Sequence, residues 1–337
     1  MLRFHFKPIA ILIAIVLLIA GCGNSAAPAN SASKPADSAA TQKESQASKR
    51  TIKHVLGTTD LEAVPKKIVA LEWVYAEDLL ALGIQPAGVA DIAGYKKSVN
   101  VKPALEASVV DVGTRQEPNL ETIAAIKPDL IIGVSFRHKA IYDKLKGIAP
   151  TIMFEPYPPE NGPNQYQEME ETFLTIADAV DKKTAAQDVL KKLNDSYAQA
   201  GEKLKKAGKS GTEFVLVQGF SSKDVPTIRA FTENSMASQI MGKIGLKNAY
   251  KSSKFEAYGF ATTNVEALPA VQKANFFYVV TEEDNIFTKQ LKDNPVWKGL
   301  DFVKENRTYS LGGATWLFGG PISAQVFVDQ VTTLLAK

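Results

Sequence analysis

Along residues 51–337, apolar runs of strand length alternate with segments whose apolar residues recur at helical spacing, and this alternation restricts the fold more than anything else in the chain. Lys67 to Leu71 reads as a short apolar strand after Pro65, and Ala76 to Leu82 carries helical spacing closed by Gly83. Ala87 to Ala90, a helix over Leu120 to Ile126, a strand over Asp129 to Val134, a helix around Ile141 to Ile148 and a strand over Thr151 to Phe154 continue the series. Strand, helix and strand in that order imply right-handed crossovers and a largely parallel sheet. After Pro156 to Pro163 the pattern is wholly helical through about Lys206. It resumes with Phe214 to Gln218, Thr227 to Thr232, a helix around Met236 to Ile244, Phe276 to Val280 and a last helix over Ile322 to Leu335. The alternation predicts two α/β lobes with mostly parallel sheets and helices between them.

From Lys182 to Lys206, apolar residues fall at Ala186, Val189, Leu190, Leu193, Tyr197 and Leu204 with lysines between, the spacing of one amphipathic helix. Its roughly 25 residues span about 37 Å, more than a connection inside one lobe requires. A single long rigid helix joining two lobes permits only small hinge motion; a helix packed along one lobe is the alternative. The expected division is a first lobe over residues 51–181, an inter-lobe helix over 182–207 and a second lobe over 208–337, with a ligand cleft between the lobes.

The first residues have a different logic. Arg3 and Lys7 precede an apolar run, Ile9 to Ala20, which ends in small residues and Cys22, the one cysteine of the chain. This is the layout of a signal peptide over residues 1–21. The run of about 12 residues is shorter than the roughly 20 needed to cross a bilayer core. Leu18-Ile19-Ala20-Gly21-Cys22 resembles a bacterial lipobox, which implies that Cys22 receives a diacylglyceryl group and becomes the mature N-terminus; an ordinary cleavage site beside a stray cysteine is the alternative. With Cys22 consumed, disulfides, thiolate metal sites and cysteine nucleophiles are excluded. Residues 23–50 are rich in Ser, Ala, Pro, Gln and Lys and hold no aromatic residue, so they bury no core. Residues 22–50 therefore read as a disordered tether, with a root-mean-square reach of about 30 Å. A lipid-anchored protein at the extracytoplasmic face of a cell membrane, of the Gram-positive lipoprotein kind, is expected.

Lysine and arginine number 39 against 36 acidic residues, interspersed, which leaves no concentrated basic face for nucleic acid. No Gly-x-Ser-x-Gly elbow, phosphate loop, His-Glu-x-x-His or dinucleotide fingerprint is present, so little supports an enzyme. An internal echo supports two related halves. Asn119-Leu120-Glu121 with Ile123, Ile126 and Leu130-Ile131-Ile132 is answered by Asn264-Val265-Glu266 with Leu268, Val271 and Phe276-Phe277-Tyr278. Each reads as a capped helix before a buried strand; capping alone accounts for such a pattern, and its recurrence at matching places argues for more.

Over nearly all of its mature length the chain resembles the substrate-binding lipoproteins of ATP-driven importers for ferric siderophores, haem and cobalamin. The resemblance is carried by the lipobox, Val64-Pro65-Lys66-Lys67-Ile68-Val69, Asn119-Leu120-Glu121 through Lys127-Pro128-Asp129-Leu130-Ile131, the Ile148-Ala149-Pro150-Thr151 turn, the long helix and Asn264-Val265-Glu266. It implies two lobes bridged by one helix, little closure on binding, a monomer, and a permease dimer in the membrane as partner. It also implies that one exposed glutamate per lobe, here Glu121 and Glu266, docks onto arginines of that permease. Gly113-Thr114-Arg115-Gln116, Ser135-Phe136-Arg137-His138-Lys139 and Trp316-Leu317-Phe318-Gly319-Gly320-Pro321 are similar to the branch that takes ferric citrate and citrate-based hydroxamate siderophores.

The walls of such a cleft are sought beyond the carboxyl ends of the strands. Beyond the tether the chain has only four arginines, Arg115, Arg137, Arg229 and Arg307, in a composition that uses lysine for solubility. The planar fork of arginine suits multidentate oxygen anions and keeps its charge when desolvated. Arg115, Arg137 and Arg229 follow or lie near strand ends; Arg307 reads as surface, and a local ion pair is the alternative for each of the three. Trp73 and Tyr75 follow the first strand, Tyr95 the next, Tyr258 lies before Asn264, and Trp316 and Phe318 lie in a stretch whose glycines loosen the backbone. Aromatic walls bury large area at low rotamer cost; core packing is the alternative, above all for Trp73 and Phe318. His138 is a further candidate contact, set against a surface role. Cationic forks with aromatic walls suit an anionic, partly apolar ferric siderophore that brings its own iron, so no protein metal ligand and no cofactor is expected. A metal-ion receptor would converge several His, Asp or Glu, and only His54 and His138 lie beyond the tether. Haem or cobalamin binding and a surface adhesin remain the alternatives.

Overall fold

The computed structural model describes residues 49–337. The signal segment, Cys22 and the tether up to residue 48 lie outside the described residues. A hairpin of β1 (Arg50–His54) and β2 (Gly57–Leu61) leads into the first sheet. Arg50, assigned to the tether by composition, is already in β1, where it reaches Asp181 Oδ1 at 2.6 Å. The first sheet consists of β3 (Ile68–Ala70), β4 (Gly88–Val89), β5 (Val110–Asp111), β6 (Leu130–Val134) and β7 (Thr151–Phe154). All neighbours are parallel and the order is β5-β4-β3-β6-β7. Helix α1 (Trp73–Ala81) follows β3, α2 (Ile92–Ser98) follows β4 and α3 (Leu120–Ile126) follows β5; α4 (Ser135–His138) and α5 (Tyr142–Lys146) lie between β6 and β7. β6, Leu-Ile-Ile-Gly-Val, is buried at every residue, as a parallel strand covered on both faces must be. α3 starts where the Asn119 side chain accepts a hydrogen bond from the Thr122 N–H at 3.0 Å, and it ends at Lys127 in the left-handed region before Pro128.

Two helices join the lobes, α6 (Gln165–Ala179) and α7 (Lys183–Lys206). α6 opens on a capping box between Asn164 and Gln167. Its Tyr166 and Met169 pack in the second core, and its Phe173, Ile176 and Ala177 in the first. The chain reverses at Asp181, which takes a positive φ of 58°. α7 then runs back, burying Ala186 in the first core and Leu193, Tyr197, Ala200 and Leu204 in the second. The long helix of the sequence pattern thus spans both cores, with α6 beside it.

The second sheet is built from β8 (Glu213–Ser222), β9 (Val225–Phe231), β10 (Lys247–Asn248), β11 (Phe260–Thr263), β12 (Asn275–Val279) and β13 (Thr308–Ser310). Its order is β11-β9-β8-β12-β13, with β10 also on β8. The pairs of β8 with β10 and β12, and of β12 with β13, are parallel; β8 with β9 and β9 with β11 are antiparallel. The β8–β9 hairpin turns through Lys223 and Asp224, both at positive φ, the turn whose twist matches that of its strands. The helices are α8 (Met236–Lys243), α9 (Pro295–Gly299), α10 (Asp301–Lys304) and α11 (Pro321–Leu335). The internal echo is looser than its sequence: Asn264 makes no side-chain cap, and Val265–Val271 is a 3₁₀ helix containing Pro269.

α1 and α11 connect the lobes a second time. Glu77 is wholly buried and accepts from the Ser323 N–H at 2.7 Å and from Ser323 Oγ at 2.6 Å, so a carboxylate of α1 caps the start of α11. A Cβ at Gly319 would collide with Glu77 and Ser323, and one at Gly320 with Asp78. These glycines give close approach of two elements rather than a loose backbone.

Candidate ligand cleft

The cleft forms where β3, β5 and β6 end, opposite β9 and the segment before α11. Glu72, the last residue before α1, organises its cationic side. Its Oε1 accepts from Arg115 at 2.8 Å, and its Oε2 accepts from Arg137. Glu72 is buried while both guanidiniums are about one-fifth exposed, so one carboxylate sets the positions of two cations; Asp91 Oδ2 lies farther off, 3.9 Å from Arg115 Nε. The Arg115 guanidinium also lies 3.7 Å over the Trp73 ring. Arg229, on β9, is held differently: it donates to Gln218 Oε1 at 3.1 Å and sits between the Phe220 and Phe260 rings, at 4.9 and 4.7 Å. It is the only arginine among the described residues without a carboxylate partner within 4 Å.

The three guanidiniums line one cavity of about 380 Å³, within the usual range for a small-molecule site. Tyr75, Tyr258, Trp316 and Phe318 line it too. Trp316 and Phe318 stand 5.4 Å apart, and Trp316 leaves its indole N–H without a partner. Trp73, Tyr95 and His138 are buried outside the cavity. Trp73 donates to the Ala90 and Asp91 carbonyls and forms a floor under Arg115. Tyr95 packs edge-on against Trp73 at 6.3 Å. His138 Nδ1 accepts from the Val134 N–H at 3.1 Å, so the proton resides on Nε2, which donates to the Arg115 carbonyl at 2.8 Å. Burial, with the Arg137 charge adding to it, holds the His138 imidazole below the ordinary histidine value, and it therefore anchors the Arg115 loop as a neutral ring. Arg307 donates to the carbonyls of Gln272, Lys273 and Ala274 and pairs with Glu305, a local structural role.

Several lining residues escaped the sequence reading. Phe136, Tyr157 and Tyr258 form one aromatic group, with Tyr157 at 5.3 Å from Phe136 and 4.9 Å from Tyr258. Phe136 and Tyr157 lie within three residues of the ends of β6 and β7, as Trp73 does of β3, and the same rule applied to every strand end would have found them. Burial pushes the Tyr157 hydroxyl up to about 12. Glu72 carries a weaker signal, a charge wedged between Leu71 and Trp73. Asp78 and Glu168, on α1 and α6, also line the cavity and carry none, because helical spacing alone assigns them no partner. Glu121 and Glu266 are both exposed, each in the first turn of its short helix.

Two α/β lobes with a charged and aromatic cleft define a class of receptor. Residues 68–315 match the family described as periplasmic binding protein, and the chain belongs to that family. It is 30% identical to the Fe(3+)-citrate-binding protein YfmC of Bacillus subtilis, over 96% of this chain and 94% of that one. Among solved structures, the ferric Desferal-bound siderophore-binding protein FhuD of Vibrio cholerae superposes with a TM-score of 0.73 at 27% identity, covering 80% of this chain and 98% of that one. SirA of Staphylococcus aureus, complexed with staphyloferrin B, gives 0.67 at 26% identity, covering 85% and 98%.

Proposed function

We propose that the protein is an extracytoplasmic, lipid-anchored receptor that binds an anionic ferric siderophore of the citrate-hydroxamate or hydroxamate type and hands it to an ABC permease. The observation that carries this reading is the convergence of three guanidiniums, only two of them sharing a carboxylate, with aromatic walls in one cavity. Such a wall offers charge-assisted hydrogen bonds to carboxylate and hydroxamate oxygens, while the chelate keeps its iron saturated. The protein then needs no cofactor and performs no catalysis. Among the described residues no group of three His, Cys, Asp or Glu is placed to hold a metal ion, and no helix is long and apolar enough to cross a membrane. Attachment through Cys22 keeps the receptor at high effective concentration beside its permease.

Binding is tested by tryptophan fluorescence. Saturable quenching by ferric citrate or a ferric hydroxamate, with none by haem or cobalamin, is expected because Trp316 lines the cavity. Quenching by haem or cobalamin alone overturns the siderophore reading, and silence with every chelate favours an adhesin. Glu121 and Glu266 are assigned to permease docking, since their exposure suits carboxylates that orient an encounter more than they strengthen it. Glu121→Ala with Glu266→Ala is expected to leave chelate binding intact and to impair uptake in cells; normal uptake reduces both to helix-terminus accessories.

A further inference from the structure

The cleft also holds groups of the opposite chemical character. Asp78 of α1 is 1% exposed, and neither of its carboxyl oxygens has a hydrogen-bond partner. The hydroxyl of Tyr75, fully buried on the same helix, is likewise unpartnered. Both side chains line the cavity, together with half-buried Glu168 and buried Thr172 of α6. Glu168 Oε1 accepts from Thr172 Oγ1 at 2.5 Å. Among the described residues, neither Asp78 nor Glu168 has a lysine, arginine or histidine nitrogen within 4 Å, whereas Glu72 has two arginines. The charges that reach these two carboxyls are themselves acidic: Glu77 and Glu168 act on Asp78, and Glu155 and Glu171 on Glu168.

Buried acceptors without donors are costly, and a pair of carboxyls beside a cavity without a cation is costlier; one Asp78 oxygen also abuts Gly320. Retained protons reduce this cost. Burial, then the charges of Glu77 and Glu168, push the Asp78 carboxyl well above its usual range, and burial takes Glu168 up to about 7. A ligand that brings a cationic donor removes the cost more completely, because it supplies charge and N–H groups together.

We infer that Tyr75, Asp78 and Glu168 form a subsite for an ammonium group, so that the preferred ligand is a ferric chelate with anionic oxygens at the arginine wall and a free amine on one arm. This rests on the siderophore reading and deepens it. The bipolar cleft discriminates among chelates of equal iron chemistry by what their arms carry. Tyr75 contributes a hydroxyl that accepts from the ammonium or passes a hydrogen bond to Asp78. Thr172 orients Glu168 through the bond already present.

The test uses isothermal titration of the purified protein with ferric desferrioxamine B, a trishydroxamate with a terminal amine, with its N-acetylated form, and with ferric citrate as reference. Wild type is expected to bind the amine at least tenfold more tightly than the acetylated chelate. In Glu168→Gln, and in the double variant Asp78→Asn with Glu168→Gln, that ratio is expected to fall toward one. Glu168→Gln alters a half-buried residue and keeps its size, so it reads out even if the double variant misfolds. Equal affinity of wild type for both hydroxamates overturns the ammonium subsite and leaves the siderophore reading standing, as does binding of ferric citrate alone. A ratio unchanged in Glu168→Gln and in a folded double variant also overturns it. No binding of any of the three chelates overturns both.

Discussion

At the scale of single residues, the arginines divide by what holds them. Arg115 and Arg137 are fixed by Glu72, and Glu72→Gln would leave Arg137 without a counter-charge and Arg115 with only the more distant Asp91, at 3.9 Å. A loss of about 3 kcal/mol in denaturant unfolding is expected, below the upper range for such pairs because both guanidiniums keep some solvent contact. Arg229 has no such partner, so Arg229→Ala is expected to weaken chelate binding tenfold or more while shifting the unfolding midpoint little; the reverse pattern would make it structural. His138 supplies a pH dependence. Its folded pKa lies below 6.5, so at low pH the unfolded chain binds a proton that the folded ring resists. Its contribution to stability is therefore complete above about pH 6.5 and is lost as pH falls below that value. Following the ring by NMR should show a midpoint below 6.5; one above it would mean that the ring anchors the Arg115 loop as a cation. Residue types were legible before the structure, since Arg115, Arg137 and Arg229 stand out in a lysine-rich chain. Their partners were not, because Glu72 lies 43 residues from Arg115 and 65 from Arg137, and no local pattern records such a pairing.

At the scale of elements, periodicity found the parallel strands of the first lobe and the long helix, since both have strong apolar patterns. The short pieces β1, β2, β11 and β13 escaped it: they are three to five residues long with at most two buried positions, too few for an alternation to register. The link between α1 and α11 was equally hidden, because Glu77 and Ser323 lie 246 residues apart. Ser323→Ala removes one charge-assisted bond to a buried carboxylate, and a cost of about 2 kcal/mol is expected in thermal or denaturant unfolding. Gly319→Ala is expected to cost at least as much, because its methyl would enter the space of Glu77 and Ser323; a neutral effect would show that α11 can shift away from α1.

At the scale of the whole molecule, three helical connections hold the lobes: α6, α7 and the α1–α11 contact. α6 and α7 each bury apolar residues in both cores, so a large hinge motion would have to break packing at two places. Small-angle scattering with and without a bound ferric chelate is therefore expected to show a radius of gyration changed by less than about 1 Å; a larger contraction would contradict the rigid bridge. Sequence by itself determined the two α/β lobes, the bridging helix and the kinds of side chain available for a cleft, because periodicity and composition are local properties. Tertiary structure alone decided which of those side chains meet. It withdrew Trp73, Tyr95 and His138 into support behind the arginines, brought Tyr157 and Phe136 forward, and set the carboxyls of Asp78 and Glu168, which have no basic partner, in the same cavity as three guanidiniums. The physical reason is that burial and charge pairing depend on contacts between segments far apart in the chain, and such contacts leave no periodic trace in it.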